Sequence, residues 1–195
     1  MDYNFKIIEK KINESFKQKE KRILVFEGNF NKGKRNGRGK EYDYYGKVKF
    51  EGEYLSDKRW NGKGYNEKGN EVYEIKQGSG TERRYNSDNQ LIYQCQYLNG
   101  EKNGMEVEYY CNSIRMERNY LKGKLNGNSS RYEFDSLNNS YRLTEICGYL
   151  NGEKNGIEKK YYKYDGLYQL TNECEYLNGK LNGKYISYHA CGYLN

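Results

Sequence analysis

Few residues of this chain could carry out chemistry: it has a single histidine and five cysteines among 195 residues. His189 is the only histidine, and because no nucleophile stands beside it, no catalytic triad is predicted. The segment from Gly33 to Lys40 resembles a phosphate-binding loop in composition, but its glycine spacing is wrong and no Ser or Thr follows Lys40. The sequence therefore predicts a protein that is not an enzyme, with no catalytic residue, no cofactor and no metal site.

Four of the five cysteines recur at one position of a repeated segment. They are Cys95, Cys147, Cys174 and Cys191. Equivalent strands of neighbouring repeats would lie about 10 Å apart, whereas a disulfide needs Cα atoms within about 7 Å. We therefore interpret these thiols as small apolar residues packed beside aromatic rings. Five cysteines without a secretory signal favour a reducing, cytoplasmic location, and the role of Cys111 is not predicted.

Aromatic residues recur at a spacing typical of a repeat array. Each is followed by a polar loop, and most loops carry Asn-Gly a fixed distance downstream, as in YQCQYLNGEKNG (93–104). The aromatic anchors are Phe30, Tyr54, Tyr97, Tyr120, Tyr149, Tyr176 and Tyr193. A period of roughly 20 to 50 residues indicates stacked structural units. Since VYEIKQGSGTERRY (72–85) fits as a degenerate unit, the chain contains about seven units plus a partial eighth.

Alternation within each unit predicts a β-hairpin. Phe50, Gly52 and Tyr54 share one face of an extended strand, while Glu51 and Glu53 point to the other. One face is therefore expected to be aromatic and the other polar and exposed to solvent. A tyrosine stands five residues after the downstream glycine in five units, which indicates a return strand. These residues are Tyr42, Tyr109, Tyr132, Tyr161 and Tyr188. Asn-Gly suits a tight turn between the two strands.

These segments resemble the MORN (membrane occupation and recognition nexus) repeat, in a divergent variant. The best matches are Phe26-Glu27-Gly28 and Phe50-Glu51-Gly52-Glu53-Tyr54, and the resemblance covers about residues 24–195. It implies an all-β fold: an elongated, single-layer, twisted antiparallel sheet of consecutive β-hairpins, with a short N-terminal helix. It also implies an interaction scaffold of the kind found at membranes or cytoskeletal structures. Later units replace the central glycine by Cys or Arg.

The excess positive charge lies in the first third of the chain. Residues 1–64 hold 17 Lys and Arg against 10 Asp and Glu, a net of +7, whereas residues 65–195 are neutral. Within this part, residues 3–22 have Phe5, Ile8 and Ile12 at helical spacing. We therefore divide the chain into an amphipathic N-terminal helix or cap (1–22) and a hairpin array (23–195). The cap interpretation, in which the helix covers the first strand edge, is favoured over membrane insertion.

Three hypotheses for function follow from these patterns. The first is a scaffold that binds a peptide or helix from a protein partner on its aromatic face. The predicted contact residues are Phe30, Tyr54, Tyr97, Tyr120, Tyr149 and Tyr176. The chain stops just before its last loop, so pairing of its C-terminal edge into a homodimer is also predicted.

The second hypothesis is a peripheral membrane module that binds acidic phospholipids through basic loops. Its predicted residues are Lys32, Lys34, Arg35, Arg38, Lys40, Lys58, Arg59 and Lys63. The third is binding of single-stranded nucleic acid by stacked tyrosines, which ranks last because the tyrosine-rich part of the chain carries no net charge.

Overall fold

The computed structural model of the chain describes residues 22–110 and 113–189, and these residues form strands, turns and connecting loops without a helix. The predicted N-terminal helix, the partial eighth unit around Tyr193, Cys111 and Cys191 lie outside the described residues. The same holds for the residues beyond 189 at the C-terminal edge, where homodimer pairing is predicted.

Fourteen strands follow one another along the described residues. They are β1 (Phe26–Asn31), β2 (Lys34–Tyr42), β3 (Val48–Leu55), β4 (Lys58–Tyr65), β5 (Glu71–Lys76), β6 (Ser79–Tyr85), β7 (Leu91–Leu98), β8 (Glu101–Tyr110), β9 (Ile114–Leu121), β10 (Lys124–Asp135), β11 (Ser140–Leu150), β12 (Glu153–Tyr164), β13 (Leu167–Leu177) and β14 (Lys180–Ser187). Each strand lies beside its neighbours in sequence, so the sheet is open and antiparallel with the order β1 to β14. The all-β hairpin fold expected from the sequence is confirmed.

The chain divides into two compact units. The first unit comprises 22–91 and 97–101 among the described residues, and the second comprises 92–96 and 102–189 without 111–112. In both units strand alternation gives two faces. The ring face carries the side chains of Phe26, Phe50 and Tyr93, and the back face carries those that alternate with them, such as Glu27 and Glu51.

A two-residue turn closes each of the seven hairpins from β1–β2 to β13–β14, and both residues of every such turn have positive φ; Asp165-Gly166 joins β12 to β13 in the same way. This geometry is that of a type I′ turn, whose twist matches the right-handed twist of the flanking strands. The turns are Lys32-Gly33, Ser56-Asp57, Gln77-Gly78, Asn99-Gly100, Lys122-Gly123, Asn151-Gly152 and Asn178-Gly179. The segment 72–85, read from the sequence as a degenerate unit, forms the complete hairpin β5–β6.

The expectation that the downstream Asn-Gly pairs form the loops is wrong. In the hairpin β7–β8, the turn is Asn99-Gly100, while Asn103 and Gly104 lie inside the return strand. Gly104 keeps a positive φ of 102° there, a conformation that glycine adopts without a steric cost. The return strands therefore begin several residues earlier than the sequence pattern indicated, and they end within three residues of the predicted tyrosines.

The asparagine of the downstream pair connects neighbouring hairpins. The backbone N–H of Gln77, the first residue of its turn, donates to Asn61 Oδ1 of the preceding hairpin at 2.8 Å. The next N–H, of Gly78, donates to the carbonyl oxygen of Trp60 at 2.7 Å. Similar bonds to asparagine are made by Ser56 with Asn36, Lys122 with Asn103, and Asn178 with Asn155. Each of these turns is therefore fixed to the hairpin before it.

Candidate functional site

On the ring face of the first unit, aromatic rings lie directly over backbone glycine. A Cβ atom added to Gly64 would meet the Tyr73 ring at 2.0 Å, and one added to Gly39 would meet Phe26 at 2.6 Å. The absence of a side chain at these two positions is what allows the rings to reach the backbone. The resulting core holds Phe26, Phe50, Tyr54, Tyr73 and Ile75, all under 8% exposed.

Ring contacts in this core are edge-to-face and stacked. The Tyr54 ring lies edge-on to Phe26 at 5.2 Å between centroids and to Phe50 at 5.8 Å, and Phe50 stacks on Tyr73 at 6.3 Å. Such pairs stabilise by about 0.5–1.5 kcal/mol beyond the area they bury. The predicted contact residue Tyr54 is 3% exposed, so its ring surface is used inside the fold.

Two arginines cover this aromatic core and share one carboxylate. Arg59 Nη2 lies 2.5 Å from Glu41 Oε2, Arg35 Nη1 lies 3.3 Å from Glu41 Oε1, and the Tyr54 hydroxyl donates to Glu41 at 2.9 Å. The Arg59 guanidinium also lies 4.7 Å above the centroid of Phe50. Burial alone would raise the pKa of Glu41, but the hydrogen bond and charge of Arg59, with Tyr54 and Arg35, lower that pKa overall.

The ring face of the second unit is built around buried glutamates. Glu106 is 1% exposed, and it accepts hydrogen bonds from Lys102, from Arg118 Nη1 at 2.7 Å and from the Tyr93 hydroxyl at 3.0 Å. The Lys102 ammonium in turn lies 4.8 Å from the centroid of Tyr120. Burial would raise the pKa of Glu106, but these donors lower it overall. The carboxylate is therefore held in its charged form.

Glu158 occupies the equivalent place in a later hairpin. It pairs with Lys154 and with Lys160 Nζ at 3.5 Å, and it accepts a hydrogen bond from Cys174 Sγ at 3.4 Å. The register places Cys147 on its other side, in β11. Burial would raise the pKa of Glu158, but Lys154 together with Cys174 and Lys160 lowers it overall.

The described cysteines have the surroundings of packing residues. Cys95, Cys147 and Cys174 are free and buried. Burial raises the pKa of the Cys147 thiol to about 11, and burial with the adjacent Glu158 carboxylate raises that of Cys174. A thiol with a raised pKa is a poor nucleophile, because the thiolate is the reactive form.

The remaining residues of the predicted aromatic face are each partly buried. They are Phe30, Tyr97, Tyr120, Tyr149 and Tyr176. Phe30 packs edge-on against Phe26 at 5.6 Å, and the Lys154 ammonium covers the Tyr176 ring at 4.9 Å. The structure thus places each of these rings on the ring face of its own unit. In the second unit, lysine ammonium groups lie over Tyr120 and Tyr176.

Five of the eight predicted basic residues make ion pairs. Lys58 pairs with Glu101 at 2.8 Å, Lys63 with Glu71 at 2.7 Å and Lys40 with Glu51 at 3.2 Å. The other two are Arg35 and Arg59, both bound to Glu41. Within the described residues, Lys32, Lys34 and Arg38 make no ion pair.

The arginines also line a cleft of the first unit with a volume of about 340 Å³. Its charged walls are balanced, since three cationic and three anionic side chains line it. They are Arg35, Lys58, Arg59, Glu41, Asp57 and Glu82. The cleft is therefore not selective for an anionic headgroup.

A column of apolar residues on the back face was not predicted from the sequence. The residue after the aromatic anchor, last before the turn, is leucine in five hairpins. These residues are Leu55, Leu98, Leu121, Leu150 and Leu177, between 45% and 49% exposed. The recurring tetrapeptides Tyr-Leu-Asn-Gly and Tyr-Leu-Lys-Gly mark this position in the sequence. Because the leucine stands next to turn residues, it was assigned to a polar loop. Tyr42 also lies on this face, where its hydroxyl donates to Glu27 at 2.5 Å, so the back face is not uniformly polar.

No protein-family model matches this chain, and no curated protein is similar enough to count as a relative. The fold and the two faces define the class as an all-β hairpin-repeat protein, while the likeness to MORN repeats stays a prediction. The part of the chain that the structure describes contains no helix long and apolar enough to cross a membrane. In the same part, no group of His, Cys, Asp and Glu side chains could hold a metal ion.

Proposed function

We propose that this chain is a non-enzymatic scaffold that binds a protein partner on the surface of its hairpin array. The observation that carries the proposal is the leucine column, because one repeat position keeps an apolar side chain half exposed in five of seven hairpins. Single exposed apolar residues are ordinary on protein surfaces, whereas a contiguous apolar patch marks an interaction site. The recurrence of leucine at one repeat position distinguishes this column from scattered apolar residues.

The surroundings of the buried ionisable groups support a role without catalysis. Glu41, Glu106 and Glu158 each have a lowered pKa, and each accepts a hydrogen bond from at least one cation within its own unit. A general acid at neutral pH needs the opposite shift, a raised carboxyl pKa. The buried free thiols fit the reducing cytoplasm proposed as the location.

Co-purification from the cells that make the protein tests this proposal. We expect wild-type protein to retain a stoichiometric protein partner after cross-linking, and the partner to be identified by mass spectrometry. The matched control carries Lys68→Ser, an exposed turn residue outside the leucine column and outside the predicted lipid-binding residues. Recovery of no protein partner, or of a turnover activity in the purified chain, would contradict the scaffold function.

Binding to acidic phospholipids is the second candidate, supported by the three exposed cations Lys32, Lys34 and Arg38. Each exposed basic residue near an anionic surface contributes about 1 kcal/mol. The triple variant Lys32→Ser, Lys34→Ser, Arg38→Ser should therefore abolish flotation with phosphatidylserine vesicles if this candidate is correct. Flotation of wild-type protein that does not change with lipid charge or salt would remove it.

A further inference from the structure

The back face of the second unit carries an apolar stripe, here called the leucine stripe. It consists of Met105, Leu121, Leu150, Ile157 and Leu177, between 42% and 49% exposed. Three of its members are the last residues before turns, where Leu121 pairs with Lys124, Leu150 with Glu153 and Leu177 with Lys180. The other two are displaced along their strands, because Met105 lies opposite Asn119 and Ile157 lies opposite Glu175.

The spacing of the stripe distinguishes between kinds of partner. Leu121, Leu150 and Leu177 stand on β9, β11 and β13, two strands apart each time, which corresponds to about 9.6 Å. An α-helix that crosses the strands repeats one side chain every seven residues, at about 10.5 Å, with a second in between at about half that distance. Ile157, on β12 between Leu150 and Leu177, occupies the position of such an intermediate contact.

Extended partners fit less well. A β-strand repeats the side chains of one face at about 6.6 Å, which is not commensurate with a spacing of about 9.6 Å. A polyproline helix repeats every three residues at about 9.3 Å, but its binding grooves are lined by aromatic side chains. The stripe contains none, so the spacing and the chemistry together favour an amphipathic α-helix.

The charged residues beside the stripe indicate which charge the partner helix should carry. Four exposed charged residues adjoin the leucines: Lys124, Glu153 and Lys180 lie directly opposite them across their hairpins, and Lys122 lies in the adjoining turn. None of these lysines makes an ion pair with another described residue. An unpaired basic border favours acidic residues along the facing edge of the helix, as at the flanking positions of a coiled coil.

The same charge excludes the chain's own N-terminal segment as the occupant. Residues 3–22 are amphipathic in sequence, but they hold seven Lys and Arg against three Glu. A segment with a net charge of +4 would place like charges against the lysine border, which is unfavourable. The occupant that this charge favours is therefore an acidic helix of a partner protein.

We propose that the leucine stripe of the second unit is the docking surface for an acidic amphipathic α-helix of a partner protein. The inference rests on the proposed scaffold function and specifies its surface and partner class. The apolar side chains of the helix pack across β9 to β13, and its acidic edge faces Lys122, Lys124 and Lys180.

Synthetic helices test the proposal on the full chain. The acidic probe is a peptide of about 21 residues, three heptads, with leucine at the two core positions and glutamate at both flanking positions. The basic probe has lysine at the flanking positions, and the scrambled probe keeps the acidic composition without the heptad pattern. Fluorescence anisotropy at physiological salt should show the acidic probe binding at least about tenfold tighter than either of the others.

Two variants locate the binding site. The pair Leu150→Ser, Leu177→Ser should weaken the acidic probe at least about tenfold, whereas Leu55→Ser, the same repeat position in the first unit, should not. The pair Lys122→Glu, Lys180→Glu should reverse the preference toward the basic probe. All altered residues are exposed, so circular dichroism melts should stay close to wild type, and a variant that melts early is replaced by Leu150→Asn alone.

Equal binding of all three probes, or undiminished binding by the Leu150→Ser, Leu177→Ser variant, would overturn the proposed surface. The same variant separates this inference from the general function. If it still co-purifies the native partner, the protein remains a scaffold but the leucine stripe is not its docking site. If the wild type has no native partner, the scaffold function itself fails, whatever the probes do.

Discussion

The two units fill their ring faces with different chemistry. Two residues after the glycine of the downstream Asn-Gly, the first unit has Gly39 or Gly64, and an aromatic ring lies on the backbone. In two hairpins of the second unit this position is Glu106 or Glu158, and a buried carboxylate is surrounded by lysine, tyrosine and cysteine; in the other two it is Ser129 or Tyr185. Turn geometry and the bonds between hairpins are alike in both units. The hairpin scaffold is therefore independent of what fills its ring face.

The difference implies unequal stability. Burying aromatic surface stabilises in proportion to the area removed from water, about 25 cal/mol per Å². A buried ion pair offsets most of its Coulomb attraction by desolvation of both charges. Because units of a repeat array can unfold separately, the first unit should be the more stable one.

The largest expected effect comes from Phe50→Ala in the first unit. The side chain is 0% exposed and contacts Tyr54, Tyr73 and the Arg59 guanidinium, so its removal should cost about 3–5 kcal/mol. Tyr149→Ala removes an anchor ring of the second unit, and because this ring is only partly buried its cost should be smaller. Urea unfolding measures both.

Hydrogen exchange of each unit separates the two effects. We expect Phe50→Ala to lower protection in the first unit while the second keeps its own. Equal losses for the two variants would show that the aromatic core of the first unit is not more stabilising than the ring face of the second.

Glu106→Gln is the corresponding test of the second unit. The change leaves Lys102 and Arg118 without their shared carboxylate, and since both cations are partly exposed we expect a cost of about 2–3 kcal/mol. Glu108→Gln is the control, because it removes a weaker contact to the same Arg118 at 3.0 Å. Urea unfolding in which both variants match wild type would mean that the buried carboxylate contributes nothing.

Acid should weaken the second unit more than the first. Glu106, Glu158 and Asp135 all have a lowered pKa there, and hydrogen bonds from Lys163 and Asn138 take that of Asp135 to about 2, whereas in the first unit Glu41 alone shows this shift. A lowered carboxyl pKa contributes stability that is present above the unfolded-state value, near 4.5 for Glu. It is lost as the pH falls below that value toward the folded-state pKa.

Hydrogen exchange at pH 6, 4 and 3 measures this effect in each unit. Protection in the second unit should fall first, and the difference between wild type and Glu106→Gln should shrink as the pH decreases. Parallel loss in both units would contradict the ionic interpretation of the second.

Gly64→Ala tests the need for glycine under a ring. The new Cβ would meet Tyr73 at 2.0 Å, so the ring must move, at a cost of about 1–3 kcal/mol. The Tyr73→Leu background is the control, because a smaller side chain should relieve part of the clash. Additive costs in the double variant would show that Gly64 acts through something other than the Tyr73 ring.

The sequence predicted the strands better than the turns. Period-two alternation identified both strands of most hairpins, since Tyr109 and Tyr132 stand in return strands as expected. It could not choose between Asn99-Gly100 and Asn103-Gly104, because both dipeptides have the same turn propensity. The choice depends on Asn103 bonding to the next hairpin, a contact that local sequence does not specify.

The candidate functional site was only partly predictable from the sequence, because it also depends on contacts between neighbouring hairpins. Counting alternation places Glu106 on the ring face, but a glutamate is rarely buried without a partner, and its partners Lys102 and Arg118 come from the same and the next hairpin. Leu121 was overlooked because a leucine beside Lys-Gly was counted with the polar loop. Both residues become meaningful only when neighbouring hairpins are placed side by side.

The smallest expected change in stability concerns the buried cysteines of the second unit, which pack beside aromatic rings. Cys147 is buried and its pKa is raised to about 11, so in the native protein at pH 8 almost none of it is thiolate. In a background with Cys111→Ser and Cys191→Ser, alkylation by iodoacetamide should be slow until urea unfolds the second unit. Cys147→Ala should cost only about 1 kcal/mol, because it removes one small buried atom group. Fast alkylation of the native protein would mean that this position is open and reactive, and that the thiols do more than fill space beside Glu158.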